Sequence, residues 1–430
     1  MRIALAVLTA ATLAVLALQP VAADPLPPLQ VAEPRAVADG VTYEHYFWAD
    51  TDEGLPGPTN LPDETHVHVL RVDREAFTGR AETVLAEGRV TDKETVPSMA
   101  ARTGALAAIN GGFFIVNDSF GTPGDLMGVS VIDGELVSEA VGARSALVIR
   151  GDDLTDAWTT HVSTTLTVTA EDGATRELDG LNRVPGIVRS CGGVGGDVLD
   201  GEVTHAPVHD YTCHDDSELT LLRPIFGGTV PPADRRVLLD AEGVVLGPLL
   251  GQSVPDDHQV LLATGDAAEW IDAHAGVGAR VRVTETVNTP DGPLDLDGLD
   301  VINGGPLLVR DGVADVTWVE EGFGRIDAAN GWVNNANPRA AVAWTPDATL
   351  LVTVDGRQAP DGSGLDLPSF ADLLIALGAT DAVNLDGGGS VTMTIGEEVV
   401  NSPSDGTNLR TPFTRGTPRP VGDALVLLSE

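Results

Sequence analysis

Residues 378–390 read GATDAVNLDGGGS, an Asn, an Asp and three consecutive glycines set where a short apolar run ends. Just upstream, Phe370, Leu373, Leu374 and Leu377 recur at the i, i+3, i+4, i+7 spacing of one helix face, with Pro368 in the first turn and Gly378 where a left-handed stop belongs. The stretch therefore predicts helix, stop, strand and exposed loop. Gly387, Gly388 and Gly389 leave successive backbone N–H groups uncrowded, so they are candidates to converge on an anion flanked by Asn384, Asp386 and Ser390. A plain glycine-rich turn into residues 391–395 would use the same letters without a ligand.

Recurrence is what favours a site. At Gly104 the chain reads GALAAINGGFF, and the step from Gly104 to Asn110 equals that from Gly378 to Asn384. A second helix precedes it, with Thr95 as N-cap, Pro97 in the first turn, Met99 and Ala100 inward and Gly104 as stop. A third strand end, DVINGGPLL at 300–308, carries Asn303, Gly304 and Gly305. Three apolar strands ending in Asn and glycine predict three loops at one place, against duplication kept for packing.

The chain has 430 residues, 43% of them hydrophobic, which is enough for a large core. Residues 1–23 hold one Arg, an apolar run from Ile3 to Leu18 and small residues before Asp24, as in a cleavable export signal. Residues 24–39 read as a Pro- and Ala-rich linker, and 40–430 as one domain. No later apolar run is long enough to span a bilayer, so a secreted or extracytoplasmic protein without stable membrane insertion is expected. The formal net charge of −39 excludes nucleic acid and anionic membrane as partners. Any anion site must then be locally cationic, and Lys93 is the single lysine, so that charge falls to arginine.

Strand patterns dominate the order. Val41–Phe47 and Thr65–Val72 alternate, Asp133-Gly134 reads as a hairpin turn, and 265–276 is a short helix with Asp266 as N-cap. Few helices and many strands predict an α+β, strand-rich mixed-sheet domain. Cys191 and Cys213 in an exported chain predict one disulfide, inside a Gly-dense insertion at about 182–229. Zinc held with His205, His209 and His214 is the sharper alternative, at a spacing that matches no standard finger. Asp295, Asp297 and Asp300 offer carboxylates for calcium but lack the EF-hand order, so no cofactor is expected. Arg339 in NPRAAVAW and Asp355 and Arg357 in TLLVTVDGRQ add two guanidiniums and a carboxylate at strand ends.

Together, AAINGGFF at 107–114, VINGGPLLVRDG at 301–312, NPRAAVA at 337–343, VTVDGRQ at 352–358 and LGATDAVNLDGGGSVTM at 377–393 resemble the phosphodiester glycosidase family, with a weaker echo in RPVGDAL at 419–425. The resemblance implies release of a sugar joined through its anomeric carbon to a phosphodiester, leaving a phosphomonoester. On that reading Asp386, ahead of Asp355, is nucleophile or base. Arg357, Arg339 and the amides of Gly111, Gly112 and Gly387–Gly389 stabilise departing charge, and Asn110, Asn303 and Asn384 hold sugar or phosphate oxygens. The substrate expected is a glycosyl phosphodiester or a cell-envelope glycan. Relatives often carry a Glu near the place of Ser369; its loss keeps a non-catalytic glycan-binding or exopolysaccharide-assembly module as the competing reading. Oligomeric state is not legible.

Overall fold

In the computed structural model the described residues are 29–49, 64–191, 196–204, 207–324, 331–357, 364–406 and 416–429. The leader at 1–23 and His205 lie outside them. Four short helices occur among these residues: α1 (Val96–Thr103), α2 (Gly265–His274), α3 (Gly331–Asn334) and α4 (Leu367–Ala376). Strands make up most of the rest, as the α+β reading requires.

The centre is a four-layer stack, helix, sheet, sheet, helix. One sheet runs in the order Gln30–Val31, Val41–Ala49, Glu64–Asp73, Ala348–Val354, Arg339–Trp344, Asp381–Asn384, Leu307–Arg310, Val313–Ala314. The second is built from Glu398–Val399, Met393–Ile395, Ala107–Asn110, Asp423–Leu428 and Arg80–Leu85. Period-two alternation decides which residues face which layer. Ala340 and Val342 join Ala107, Ile109, Leu425 and Leu427 between the sheets. Ala341 and Ala343 turn outward onto Phe370, Leu373 and Leu374 of α4, and Ala108 and Val426 turn outward onto Met99 and Ala100 of α1. Each fully buried Leu or Phe of such a face contributes roughly 1.5–3 kcal/mol.

The two helix-stop-strand units of the sequence thus sit on opposite outer faces of the stack. Both stops take the left-handed backbone expected, φ 69° at Gly104 and 94° at Gly378. The Asp366 carboxylate caps α4 by accepting from the Ser369 amide at 2.7 Å. α2 begins two residues earlier than read, with Thr264 rather than Asp266 at its N-cap.

Residues 30–31 and 35–38, within the stretch read as a linker, are edge strands of the first sheet. A second lobe holds Arg144–Arg150, the long strand Asp153–Ala170 and Val281–Thr289, and packs its apolar face with α2 and Leu219–Leu222. Between the lobes, Ile187–Arg189, Val198–Leu199, Glu202–Val203 and Thr212–His214 form a small four-stranded sheet. The Cys191–Cys213 disulfide closes it, which takes both thiols out of any zinc reading.

Candidate active site

Three Asn-Gly strand ends meet beneath one cleft. Asn110 Nδ2 donates to the Asp386 carbonyl at 2.9 Å while its Oδ1 accepts from the Thr392 amide at 3.2 Å. Asn303 Oδ1 accepts from the Phe113 amide at 2.8 Å, and Asn384 Nδ2 donates to the Gly305 and Leu385 carbonyls at 2.9 and 2.7 Å. All three asparagines are at most 3% exposed, so they differ from the expectation that they hold substrate oxygens. Their carboxamides stand in for missing peptide partners where strands stop pairing.

The expected amide cradle is also largely consumed within the fold. Gly111 and Gly112 amides donate to the Asp423 carbonyl and to Asp423 Oδ1 at 3.1 and 2.9 Å. The Gly387 amide donates to Asp386 Oδ1 at 2.8 Å and the Gly388 amide to the Pro338 carbonyl at 2.9 Å. Gly304 and Gly305 pack against Asn384 and Glu321, away from the cleft lining. What the glycine triplet provides is room. A Cβ on Gly388 would fall 3.0 Å from Arg357 Nη2, and one on Gly389 would fall 2.3 Å from Arg419 Nη2. The two guanidiniums lie against bare backbone, so the site is cationic through side chains.

The cleft, about 200 Å³, is lined by Asp386, Gly387–Gly389, Arg357, Arg419, Arg189 and Arg339, with Phe113, His209 and Trp332 as an aromatic wall. Burial pushes the Asp386 carboxyl up to about 6, against the hydrogen bond from Ser390 and the charge of Arg419. Arg357 is fixed by two bonds to Asn337 Oδ1, at 2.9 and 2.8 Å, from a left-handed backbone at φ 60° that a non-glycine residue rarely adopts. Arg419 is held by Asp405 at 2.7 Å and approaches Ser390 Oγ at 3.5 Å. Arg189 reaches in from the small sheet, paired with Asp210 at 2.9 Å and stacked 4.2 Å from the Phe120 ring.

Two proposed groups have other partners. Arg339 is 1% exposed and donates to the Leu365, Trp332 and Asn335 carbonyls, so it positions Trp332, and burial pushes it down to about 9. Asp355, also 1% exposed, bonds His68 Nε2 at 3.0 Å and the Ser402 amide at 3.0 Å, outside the cleft lining. It ties the 401–405 segment to the first sheet. Ser369 lies in the first turn of α4 and likewise does not line the cleft.

Sequence reasoning missed Arg419, Arg189 and Asp423, and raised His209 only as a candidate zinc ligand. Arg419 and Asp423 lay within the RPVGDAL echo, nothing local marks Arg189, and the histidines near Cys213 pointed to zinc rather than to a cleft wall. His209 is buried against Phe113, Phe323 and Trp332 with ring centroids 4.8–4.9 Å away, and burial, then Arg144, hold it down to about 3. It is a neutral wall of the cleft.

Residues 249–428 match the phosphodiester glycosidase family. That span contains four of the five motifs and leaves AAINGGFF outside. Among solved structures, the chain is similar to a candidate exported protein from Burkholderia pseudomallei, at TM-score 0.77 and 26% identity over 93% of this chain and 96% of that one. A hypothetical protein from Synechocystis shares the fold at TM-score 0.64 and 19% identity, over 94% and 64% of the two chains. The catalytic domain of zebrafish N-acetylglucosamine-1-phosphodiester alpha-N-acetylglucosaminidase, auto-inhibited by its pro-peptide, aligns at TM-score 0.46 and 16% identity, over 94% and 88%. No curated protein sequence matches. No helix among the described residues is long and apolar enough to cross a membrane.

Proposed function

We propose that this protein is an exported glycosidase that hydrolyses a sugar-1-phosphodiester, freeing the sugar and leaving a phosphomonoester. The observation that carries the reading is Asp386, held in one cleft with Arg357, Arg419 and Arg189. Export is supported by the leader-like residues 1–23 and the Cys191–Cys213 disulfide.

The residues divide the work as follows. Arg357 and Arg419, lying against Gly388 and Gly389, bind the phosphodiester oxygens. Phe113 and Trp332 border the sugar, and Arg339 keeps Trp332 in place through its carbonyl. In the step itself the bond from the anomeric carbon to the phosphate oxygen breaks, and its electron pair stays on that oxygen beside the guanidiniums. Phosphate is a good leaving group, so stabilising this charge matters more than protonating it. A new bond to the anomeric carbon comes from water whose proton Asp386 accepts, or from Asp386 itself before water displaces it.

Replacing Asp386 by Asn in the full chain tests the assignment. Release of free sugar from a sugar-1-phosphodiester is expected to fall by roughly 100-fold or more while the substrate still binds. Near-normal turnover would remove Asp386 from the mechanism. Saturable binding by the wild type with no sugar released would favour the non-catalytic module instead, whose one motive, the Ser at 369, concerns a residue away from the cleft.

A further inference from the structure

The arginines of the cleft differ in how their charge is met. Arg357 is bonded to the neutral carboxamide of Asn337 and has no carboxylate partner among the described residues, while Arg419 is paired with Asp405. Both lie against the glycine triplet, and both are already assigned to the phosphodiester. Arg189 has no part in that assignment. Its Nη2 donates to Asp210 at 2.9 Å and its Nη1 to Thr212 Oγ1 at 3.1 Å, and its guanidinium lies 4.2 Å from the Phe120 ring centroid. The charge of Arg189 is thus balanced by an acid that lines the same cleft.

Asp210 is presented from a fixed support. Its backbone is left-handed at φ 65°, a conformation that Asp tolerates better than most residues, and its amide donates to Ser190 Oγ at 3.4 Å. His209, just before it, is anchored through its amide on the Gly322 carbonyl at 2.9 Å and through its ring on Phe113 and Trp332, the wall placed beside the sugar. The Asp210 side chain is nevertheless 58% exposed, against 15% for Arg189. A carboxylate only accepts hydrogen bonds, about four in all, and the bond from Arg189 occupies one. The carboxyl of Asp386, raised mainly by burial, also feels the charge of Asp210, so the two acids border one space.

We propose that Asp210 and Arg189 form a sugar-reading subsite, in which Asp210 accepts from hydroxyl groups of an uncharged pyranose and Arg189 donates to a neighbouring sugar oxygen. The assignment rests on the glycosidase reading for where the phosphate lies, and it narrows the substrate to a class. A balanced ion pair offers acceptor and donor without net charge, which matches a diol. A carboxylate or a second phosphate on the sugar would meet Asp210 and be repelled. A sugar lacking the hydroxyls is rejected too, because it would leave the covered carboxylate without a donor.

The test measures binding to the full exported chain by calorimetry. Glucose, mannose and galactose 1-phosphates are the uncharged-sugar probes, glucuronic acid 1-phosphate is the acidic one, and inorganic phosphate is the probe without a sugar. At least one uncharged-sugar probe is expected to bind about tenfold or more tighter than inorganic phosphate, with glucuronic acid 1-phosphate weaker than glucose 1-phosphate. Asp210→Asn, which the left-handed backbone admits, is expected to cancel most of that advantage, to bring the acidic probe level or ahead, and to leave inorganic phosphate unchanged. Wild type that binds no uncharged-sugar probe better than phosphate overturns the subsite, and so does an order of affinities that Asp210→Asn leaves as it was. Should Asp210→Asn not fold, Arg189→Gln carries the comparison: it is expected to weaken glucose 1-phosphate and widen its lead over the acidic probe, and an unchanged lead counts against the subsite. Hydrolysis is assayed separately. A wild type that releases sugar while its affinities ignore Asp210 keeps the glycosidase reading and loses the subsite, whereas the expected affinities without release overturn the glycosidase reading alone.

Discussion

Asp386 and Asp423 are the two residues whose surroundings set testable chemistry. Because burial raises the Asp386 carboxyl to about 6, the ionised form that the proposed mechanism uses disappears below that pH. The kcat/KM profile is expected to rise with pH along a limb centred near 6, and the limb should vanish from the residual activity of Asp386→Asn. A flat profile across that range would argue against an ionised Asp386. Asp423 is fully buried, with Oδ1 on the Gly112 amide and Oδ2 lacking a partner, and burial, with Asp386 nearby, pushes it up to about 7. Its unfolded value is near 3.8, so between those limits the folded chain holds a proton that the unfolded chain has lost. Stability from this group is therefore lost as pH rises through that window. Asp423→Asn cannot ionise, so its melting temperature relative to wild type should be more favourable at pH about 8 than at about 4. An offset independent of pH would mean that Asp423 is not titrating in the fold.

At the scale of elements, the unit that matters is the small sheet between residues 187 and 214. It buries little of its own and contributes Arg189 and Asp210 to the cleft. The Cys191–Cys213 bond closes a loop of sequence separation 22, worth roughly 3 kcal/mol by loop entropy. Cys191→Ser/Cys213→Ser should lower stability by about that much in urea denaturation, and substrate binding should weaken as Arg189 loses its support. Unchanged affinity would show that Arg189 is placed by other contacts. The helix-stop-strand units were legible because their signals are local. A proline in the first turn, an i, i+3, i+4 apolar face and a glycine at positive φ are all fixed by neighbours in the chain. The role of the asparagines was not, since an Asn at a strand end has one look whether it meets substrate or a distant carbonyl.

For the whole molecule, charge is the dominant fact. A net −39 makes the folded chain repel itself, while the cleft concentrates guanidiniums on a body of opposite sign. Screening that repulsion should stabilise the fold, so the melting temperature is expected to climb between about 0.01 M and about 0.5 M sodium chloride. A fall over that range would mean that ion pairs such as Arg183 with Glu218 outweigh the net repulsion.

Sequence determined the elements and the address of the candidate site: three Asn-Gly strand ends, a carboxylate after one of them and arginine as the only practical source of positive charge. Those follow from periodicity, backbone freedom and composition, all readable along one dimension. Tertiary structure decided which groups reach the cleft. It spent the asparagines and most loop amides on backbone, withdrew Asp355 and buried Arg339, and brought Arg189 and Arg419 from remote segments to Asp386. Hydrogen-bond satisfaction and burial are properties of neighbours in space, and the chain order does not state who those neighbours are.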